Sequence, residues 1–374
     1  MNSNTIYDII IIGGGLAGLS TALHLGNKDI SILLIEKNDY PHHKVCGEYI
    51  SNEVLPYLNS LGIYPVEKGA IPISRFEITN YNGRMIKAEL PLGGFGMSRY
   101  FLDNLMFEKL NDSVDVVIDT VVSIGTKQGV HNVQTKSKQS FMGRLVIGAY
   151  GKRSNLDKSL GRKFIDYKSP WLAVKGHYKA DHPRDTVSLH HFDGGYCGLS
   201  QTENGSVNVC YLTTYQSFKR SKDIDDFQKK TLEANPYLKR FFDHSELLFE
   251  QPLTISQISF ERKSPVKDGI IMIGDSAGLI HPLCGNGMAM AIHSAKIFSE
   301  LYLEWVDKQS QDIDELIAGY SGQWEMEFAT RLKAGRIIQK LLLQKWSSNI
   351  GFAVGEQFPS LVRSIIKQTH GKPF

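Results

Sequence analysis

Cysteine is scarce in this chain and never clustered. Cys46, Cys197, Cys210 and Cys284 are scattered through 374 residues, with no C-x-x-C and no histidine at metal-ligand spacing, so neither a disulfide scaffold nor a bound metal is expected. They read as free thiols in a reducing compartment. No apolar run reaches membrane-spanning length, and no basic segment with a cleavage site opens the chain. The expected location is therefore cytoplasmic. Charge of one sign is missing too: a formal net charge of +3 gives no reason to expect a nucleic-acid partner. Repeats and low-complexity tracts are absent. A hydrophobic content of 42% over this length allows two to three domains with ample core.

Glycine is concentrated in two informative places. The apolar run Ile9–Ile12 leads directly into Gly13-Gly14-Gly15-Leu16-Ala17-Gly18 and then the helical pattern Leu19–Leu25. A strand, G-x-G-x-x-G and a helix form a dinucleotide-binding unit. The first glycine makes the turn, the second admits the pyrophosphate, and the third lets helix and strand pack closely. Glu36 ends the next apolar strand, 18 residues after Gly18, where a carboxylate bonds a ribose without a 2′-phosphate. Far downstream, the strand Gly269–Ile273 runs into Gly274-Asp275, and Gly285-Asn286-Gly287 precedes the helical pattern Met288–Leu301. Two such loops in this order imply one elongated coenzyme, FAD, held at both ends.

Between them the pattern changes repeatedly. Helical periodicity is expected over Glu48–Leu61, closed by Gly62, and again over Ser98–Leu110. Short strands are expected from Ile71 to Leu92, then over Val114–Ile124, Val130–Thr135 and Arg144–Gly148. Residues 165–260 alternate strand-like runs with one charged helical stretch near 221–242, and helix dominates after the second glycine loop.

These marks resemble the FAD-dependent superfamily that holds p-hydroxybenzoate-hydroxylase-type monooxygenases and geranylgeranyl reductases. The segments that carry the resemblance are GGGLAG with Glu36, KVCGEYIS at 44–51, the Arg in GMSRYFLDNLM at 96–106, and IGDSAGLIHPLCGNG at 273–287. It implies an α/β (α+β two-domain) protein. A Rossmann-like FAD-binding domain of the GR2 type (1–70, 93–160 and 255–325) would interleave with a mainly antiparallel substrate domain (71–92 and 161–254). Helices would follow over 326–374. It implies cofactor contacts at Gly13, Gly15, Leu16, Ala17, Gly18, Glu36, Lys37, Lys44, Cys46, Gly47 and Arg99. Further contacts are implied at Gly274, Asp275, Pro282, Gly285, Asn286 and Gly287, with Asp275 on the ribityl chain and the helix behind Gly287 aimed at the flavin's pyrimidine edge. Cys46 and His281 become the candidates for proton transfer, and His190, Tyr196 and Tyr211 for the substrate pocket.

The reaction is less constrained. Tyr150-Gly151 stands where the family usually has Asp-Gly, which weakens the case for direct reduction by NAD(P)H, the expected transient reductant. The stretch Tyr196-Cys197-Gly198-Leu199-Ser200 lacks the later aromatic and the proline typical of prenyl reductases, and the Trp-x-Trp-x-Ile-Pro signature of flavin halogenases is missing. The expectation is monooxygenase-type hydroxylation of a small hydrophobic organic substrate (phenolic, polyketide-derived or lipid-like) using NAD(P)H and O2. Double-bond reduction in a prenyl lipid is the alternative, then electron transfer or non-catalytic FAD binding. From Arg331 to Phe374, eight basic residues face Glu356 alone, and Ile337, Ile338, Leu341, Leu342 and Leu343 form an apolar stripe. Such a helix suits peripheral contact with the inner face of an anionic membrane, or covers the protein's own core.

Overall fold

The structure, a computed structural model, describes residues 5–281, 285–310, 312–343 and 345–357, with 362, 364, 366, 368 and 370–374 beyond them. Pro282 and Cys284 lie outside the described residues.

Ile9–Ile12 and Ile32–Ile35 are buried throughout, as continuous β-branched and leucine runs must be when helices cover both faces of a parallel sheet. They form the centre of an eight-stranded sheet. Its main path runs Val266–Lys267, Ile270–Met272, Ser140–Gly148, Ile6–Ile12, Ile32–Glu36 and Val114–Ile118, parallel from Ile270–Met272 onward. The hairpin Val121–Lys127/Val130–Thr135 feeds antiparallel into Ser140–Gly148. Ile6–Ile12 therefore has one neighbour that follows it immediately and one that arrives more than a hundred residues later. Chain connections diverge there, opening a crevice beyond the carboxyl ends of the strands, the place where ligands bind in such sheets. The helix Leu16–Leu25 starts in that crevice and packs against the helix Gly287–Asp307.

The second sheet has nine strands. Its main path runs Glu246–Leu247, Trp171–Lys179, Val207–Thr214, Gly195–Gln201, Thr186–Phe192, Ile71–Thr79, Met85–Gly96 and Tyr49–Ser51, while Leu253–Ser256 pairs with Trp171–Lys179. Every pairing is antiparallel except Thr186–Phe192 with Ile71–Thr79. One face packs on short helices between residues 215 and 242, and the other carries a separate cluster that includes Ile78, Trp171, Leu189, Leu212 and Leu279.

Two expected elements are corrected. Glu48–Leu61 is not one helix: Glu48 has φ 54°, Tyr49–Ser51 is a strand, and α-helix begins only at Leu55. Pairing of Tyr49–Ser51 with Gly94–Gly96 overrides the local helical periodicity. Val114–Ile124 is two strands, because Asp119 and Thr120 turn the chain. The helix expected near 98–110 is present as Arg99–Glu108, capped by the Ser98 hydroxyl accepting from the Phe101 N–H. Helices Ile313–Leu343 and Lys345–Gln357 follow. Among the described residues, no helix is long and apolar enough to cross a membrane.

Candidate functional site

The first glycine turn is shaped by what surrounds it. Gly13 has φ 109°, and a Cβ there would lie 2.4 Å from the Ala149 carbonyl oxygen, so no side chain is tolerated. Gly18 packs on the turn rather than lining a cavity: its Cβ would lie 2.0 Å from the Gly13 oxygen. Gly15 differs. A Cβ on it would enter a space whose nearest described atoms are Arg99 Nη2 at 3.5 Å and Lys44 Nζ at 3.9 Å. A small backbone cradle at a helix N-terminus, topped by two cations, is what a pyrophosphate requires.

Both cations are held by one acid. Arg99 donates to Asp103 through Nε (2.6 Å) and Nη2 (2.7 Å), and Lys44 Nζ donates to the same carboxylate at 2.8 Å. Burial works to raise the Asp103 pKa, but Arg99 and Lys44 outweigh it and hold the group below the usual carboxylate range. Glu36 braces the turn itself, accepting from the Gly14 N–H at 2.6 Å and the Asn38 N–H at 3.2 Å.

The second glycine loop meets the first directly. A Cβ on Gly274 would lie 3.0 Å from the Ala17 Cβ, and the Gly274 N–H donates to Ser294 Oγ at 2.8 Å. Ser276 joins this loop to residues 149–154 by accepting from the Gly151 N–H at 2.8 Å. Tyr150 turns its hydroxyl onto the Met272 sulfur at 3.3 Å, so this loop brings no carboxylate to the site.

One cavity of about 1090 Å³ connects these parts. Its walls include Gly13, Gly15, Leu16, Ala17, Glu36, Lys37, Lys44, Cys46, Gly47, Arg99, Gly274, Asp275, Gly285, Asn286 and Gly287. Every described residue expected to touch the cofactor is thus brought together except Gly18. Asp119, Thr120 and Ser154–Leu156 also line it. The second sheet contributes an apolar lining that includes Phe76, Leu90, Val187, Leu189 and Leu212. The cradle at Gly15, the paired cations above it and the size of the groove fit FAD.

Sequence reasoning missed the group that positions the segment between Lys44 and Glu48. Four successive carbonyls accept from side chains: Lys44 O from Lys175 Nζ (3.0 Å), Val45 O from Lys152 Nζ (2.9 Å), Cys46 O from Asn208 Nδ2 (3.2 Å), and Gly47 O from Asn208 Nδ2 (2.8 Å) and Ser200 Oγ (3.3 Å). Glu48 is fully buried, accepting from Lys175 Nζ and from the Arg99 N–H at 2.8 Å, with His177 Nε2 at 2.7 Å. Burial would raise its pKa; Lys175 and His177 hold it below the usual carboxylate range. The available signal was period two: Lys175 and His177 sit opposite Cys210 and Asn208 in the ladder, so one face of an apolar-looking strand pair carries all four polar groups.

Glu48 and Asp103 give acid lability a definite origin. Both folded-state pKa values are depressed, so each contributes stability above the ordinary carboxylate range near about 4 that is lost as pH falls through the folded value. Thermal melting should drop markedly between neutral pH and about pH 3. A melting temperature indifferent to pH across that window would contradict the assignment.

Two expected site residues are placed elsewhere, and a third only borders the cavity. His281 is buried against Phe260 (ring centroids 4.6 Å), does not line the cavity, and is pushed down to about 3 by burial. It is neutral at physiological pH and unsuited to acid catalysis. His190 bonds the Thr79 hydroxyl through Nδ1 at 2.9 Å, stacks on Tyr237, and also lies off the cavity. Tyr211 borders the cavity, but its ring packs among Phe192 and Phe227 on the far face of the sheet. Tyr196 and Cys46 do lie on the wall, and Cys46 is half-buried.

Fold and groove together define a flavin-binding oxidoreductase. Residues 6–302 match the FAD binding domain family, and the chain belongs to it; it is an FAD-dependent oxidoreductase. It is 23% identical over 359 residues to digeranylgeranylglycerophospholipid reductase 2 of Methanothermobacter thermautotrophicus, covering 90% of this chain and 88% of that one. It is 22% identical over 309 residues to 3-demethoxyubiquinol 3-hydroxylase of Escherichia coli, covering 76% and 77%. Among solved structures, a flavin-dependent brominase superposes with a TM-score of 0.79 at 18% identity, covering 98% of this chain and 93% of that chain.

Proposed function

We propose that the chain hydroxylates a phenolic compound carrying an elongated apolar tail, with NAD(P)H and O2 as co-substrates. The observation that carries this reading is the continuity of the FAD groove with an apolar lobe walled by Phe76, Leu90, Val187, Leu189 and Leu212. Bound flavin, once reduced, would supply the electrons that split O2, one oxygen entering the ring and the other leaving as water while NAD(P)H is oxidised. This chain's residues would do the rest. Lys152 brings a cation to the cavity wall beside Val45, where it would stabilise a phenolate and so activate the ring carbon. The apolar lobe would exclude water from the tail and orient the ring. Relatives named as hydroxylases of quinone-type lipids support that substrate class.

A second reading, reduction of a carbon–carbon double bond, is favoured by one feature: the Cys46 thiol on the cavity wall, which could donate the proton that accompanies a hydride. Oxygen separates the two. With NAD(P)H and an alkylphenol, the hydroxylase consumes O2 in proportion to product; substrate turnover that proceeds anaerobically with a chemical reductant, on a prenyl lipid, would overturn it. Cys46→Ala should leave bound FAD and hydroxylation intact, because the first reading gives the thiol no proton to carry. A loss of about a hundredfold or more, the lower end of general-acid effects, would favour the reductase.

Peripheral membrane contact remains part of the proposal. Ile337 is half-exposed on the helix Ile313–Leu343, whereas the side chains of Ile338, Lys340, Leu341, Leu342, Leu343 and Lys345 lie outside the described set. Salt-sensitive co-sedimentation with anionic, but not neutral, vesicles is the expected result; equal recovery with both would contradict it.

A further inference from the structure

Part of the apolar lobe comes from neither sheet. Ile366 and His370 line it, and Ile366 packs onto the cluster of Tyr49, Ile73, Leu90 and Val187. The strands of the lobe are fixed by pairing with neighbouring strands. Residues 370–374, which come after Ile366, are fixed instead by a clamp on the flavin-binding half. Gly371 lies so close to the buried Glu53 and Arg331 that a Cβ would fall 2.0 Å from Glu53 Oε2. Arg331 Nη1 is 3.8 Å from the same oxygen. The Phe374 N–H donates to the Glu53 carbonyl at 3.2 Å, and the Phe374 ring stacks on His293 with centroids 3.9 Å apart at 10°.

We propose that Ile366 sets the length of apolar chain the enzyme accepts, with Phe374 as the residue that positions it. The inference rests on the elongated apolar substrate proposed above. A chain entering the lobe gains affinity with each buried methylene until its end meets the Ile366 side chain. Further carbons must then displace Ile366 or turn back toward solvent.

The test is a series of para-alkylphenols of increasing chain length, titrated into the FAD-loaded protein and followed by perturbation of flavin absorbance. In the wild type, affinity should rise about fourfold per methylene and then level off at a definite length. Ile366→Ala should move that break to longer chains by about two or three carbons, the size of the side chain removed. Ile366→Trp should move it to shorter ones. Phe374→Ala should blur the break by freeing the wall, with bound FAD unchanged in all three. A break that stays at the wild-type length in every variant overturns the assignment of Ile366 while leaving the apolar substrate intact. A wild-type series with no dependence on chain length overturns the substrate class itself, and this inference with it.

Discussion

Lys175→Met is expected to be the most damaging single substitution for stability. Lys175 and Glu48 are both fully buried and share a hydrogen bond. Methionine would fill the volume while leaving Glu48 with its charge and without its principal cation. Removing one partner of a buried ion pair costs about 3–5 kcal/mol, much more than the intact pair contributes. The same lysine donates to the Lys44 carbonyl, so the segment beside Cys46 would loosen as well. Urea denaturation should register the loss as a lower midpoint with an unchanged slope. Lys175→Met combined with Glu48→Gln should recover a large part of it, since the stranded charge is then gone. If the double variant is as unstable as the sum of the singles, charge burial is not the cause.

Gly15→Val should strike the cofactor rather than the fold. Gly15 has extended backbone angles, φ −84° and ψ −173°, that a β-branched residue adopts readily. The side chain would project toward Arg99 and Lys44 into the cradle assigned to the pyrophosphate. Overfilling a fitted site costs about 1–3 kcal/mol, roughly five- to 150-fold in affinity. The variant should therefore purify folded, with wild-type far-ultraviolet dichroism, but depleted of flavin. Gly15→Ala, with one methyl in the same space, should lose less. Stoichiometric flavin in the valine variant would remove the assignment of this turn.

Both predictions depend on residues of very different visibility in the sequence. Gly13, Gly15, Gly18 and Glu36 were legible because a phosphate turn dictates residue type at fixed short spacing. So were the parallel strand after Gly269 and the glycine loop behind it, for the same reason. The apolar run Ile9–Ile12 marked a buried strand of the parallel sheet, but the order of the strands around it was not legible. What could not be read was anything created by long-range pairing. Tyr49–Ser51 looks helical locally and becomes a strand only because Gly94–Gly96 lies beside it. Lys175, His177 and Asn208 come from strands more than a hundred residues after the segment they hold, and no local pattern announces that meeting. The histidines misled for a related reason. His190 and His281 have the chemistry of acid–base residues, but burial beside aromatic rings, which a sequence does not display, pushes both down to about 3.

Enclosure of a single FAD by two glycine loops, some 260 residues apart in sequence and adjacent at Ala17 and Gly274, underlies the function of the whole chain. Its most direct test is the number of FAD molecules bound per chain after reconstitution, measured for the wild type and for Gly15→Val and Asp275→Ala. One per wild-type chain and weakened retention in each variant are expected, the two substitutions lying on different glycine loops. A folded wild-type protein that takes up no FAD, or two variants that hold it as tightly as the wild type, would contradict it.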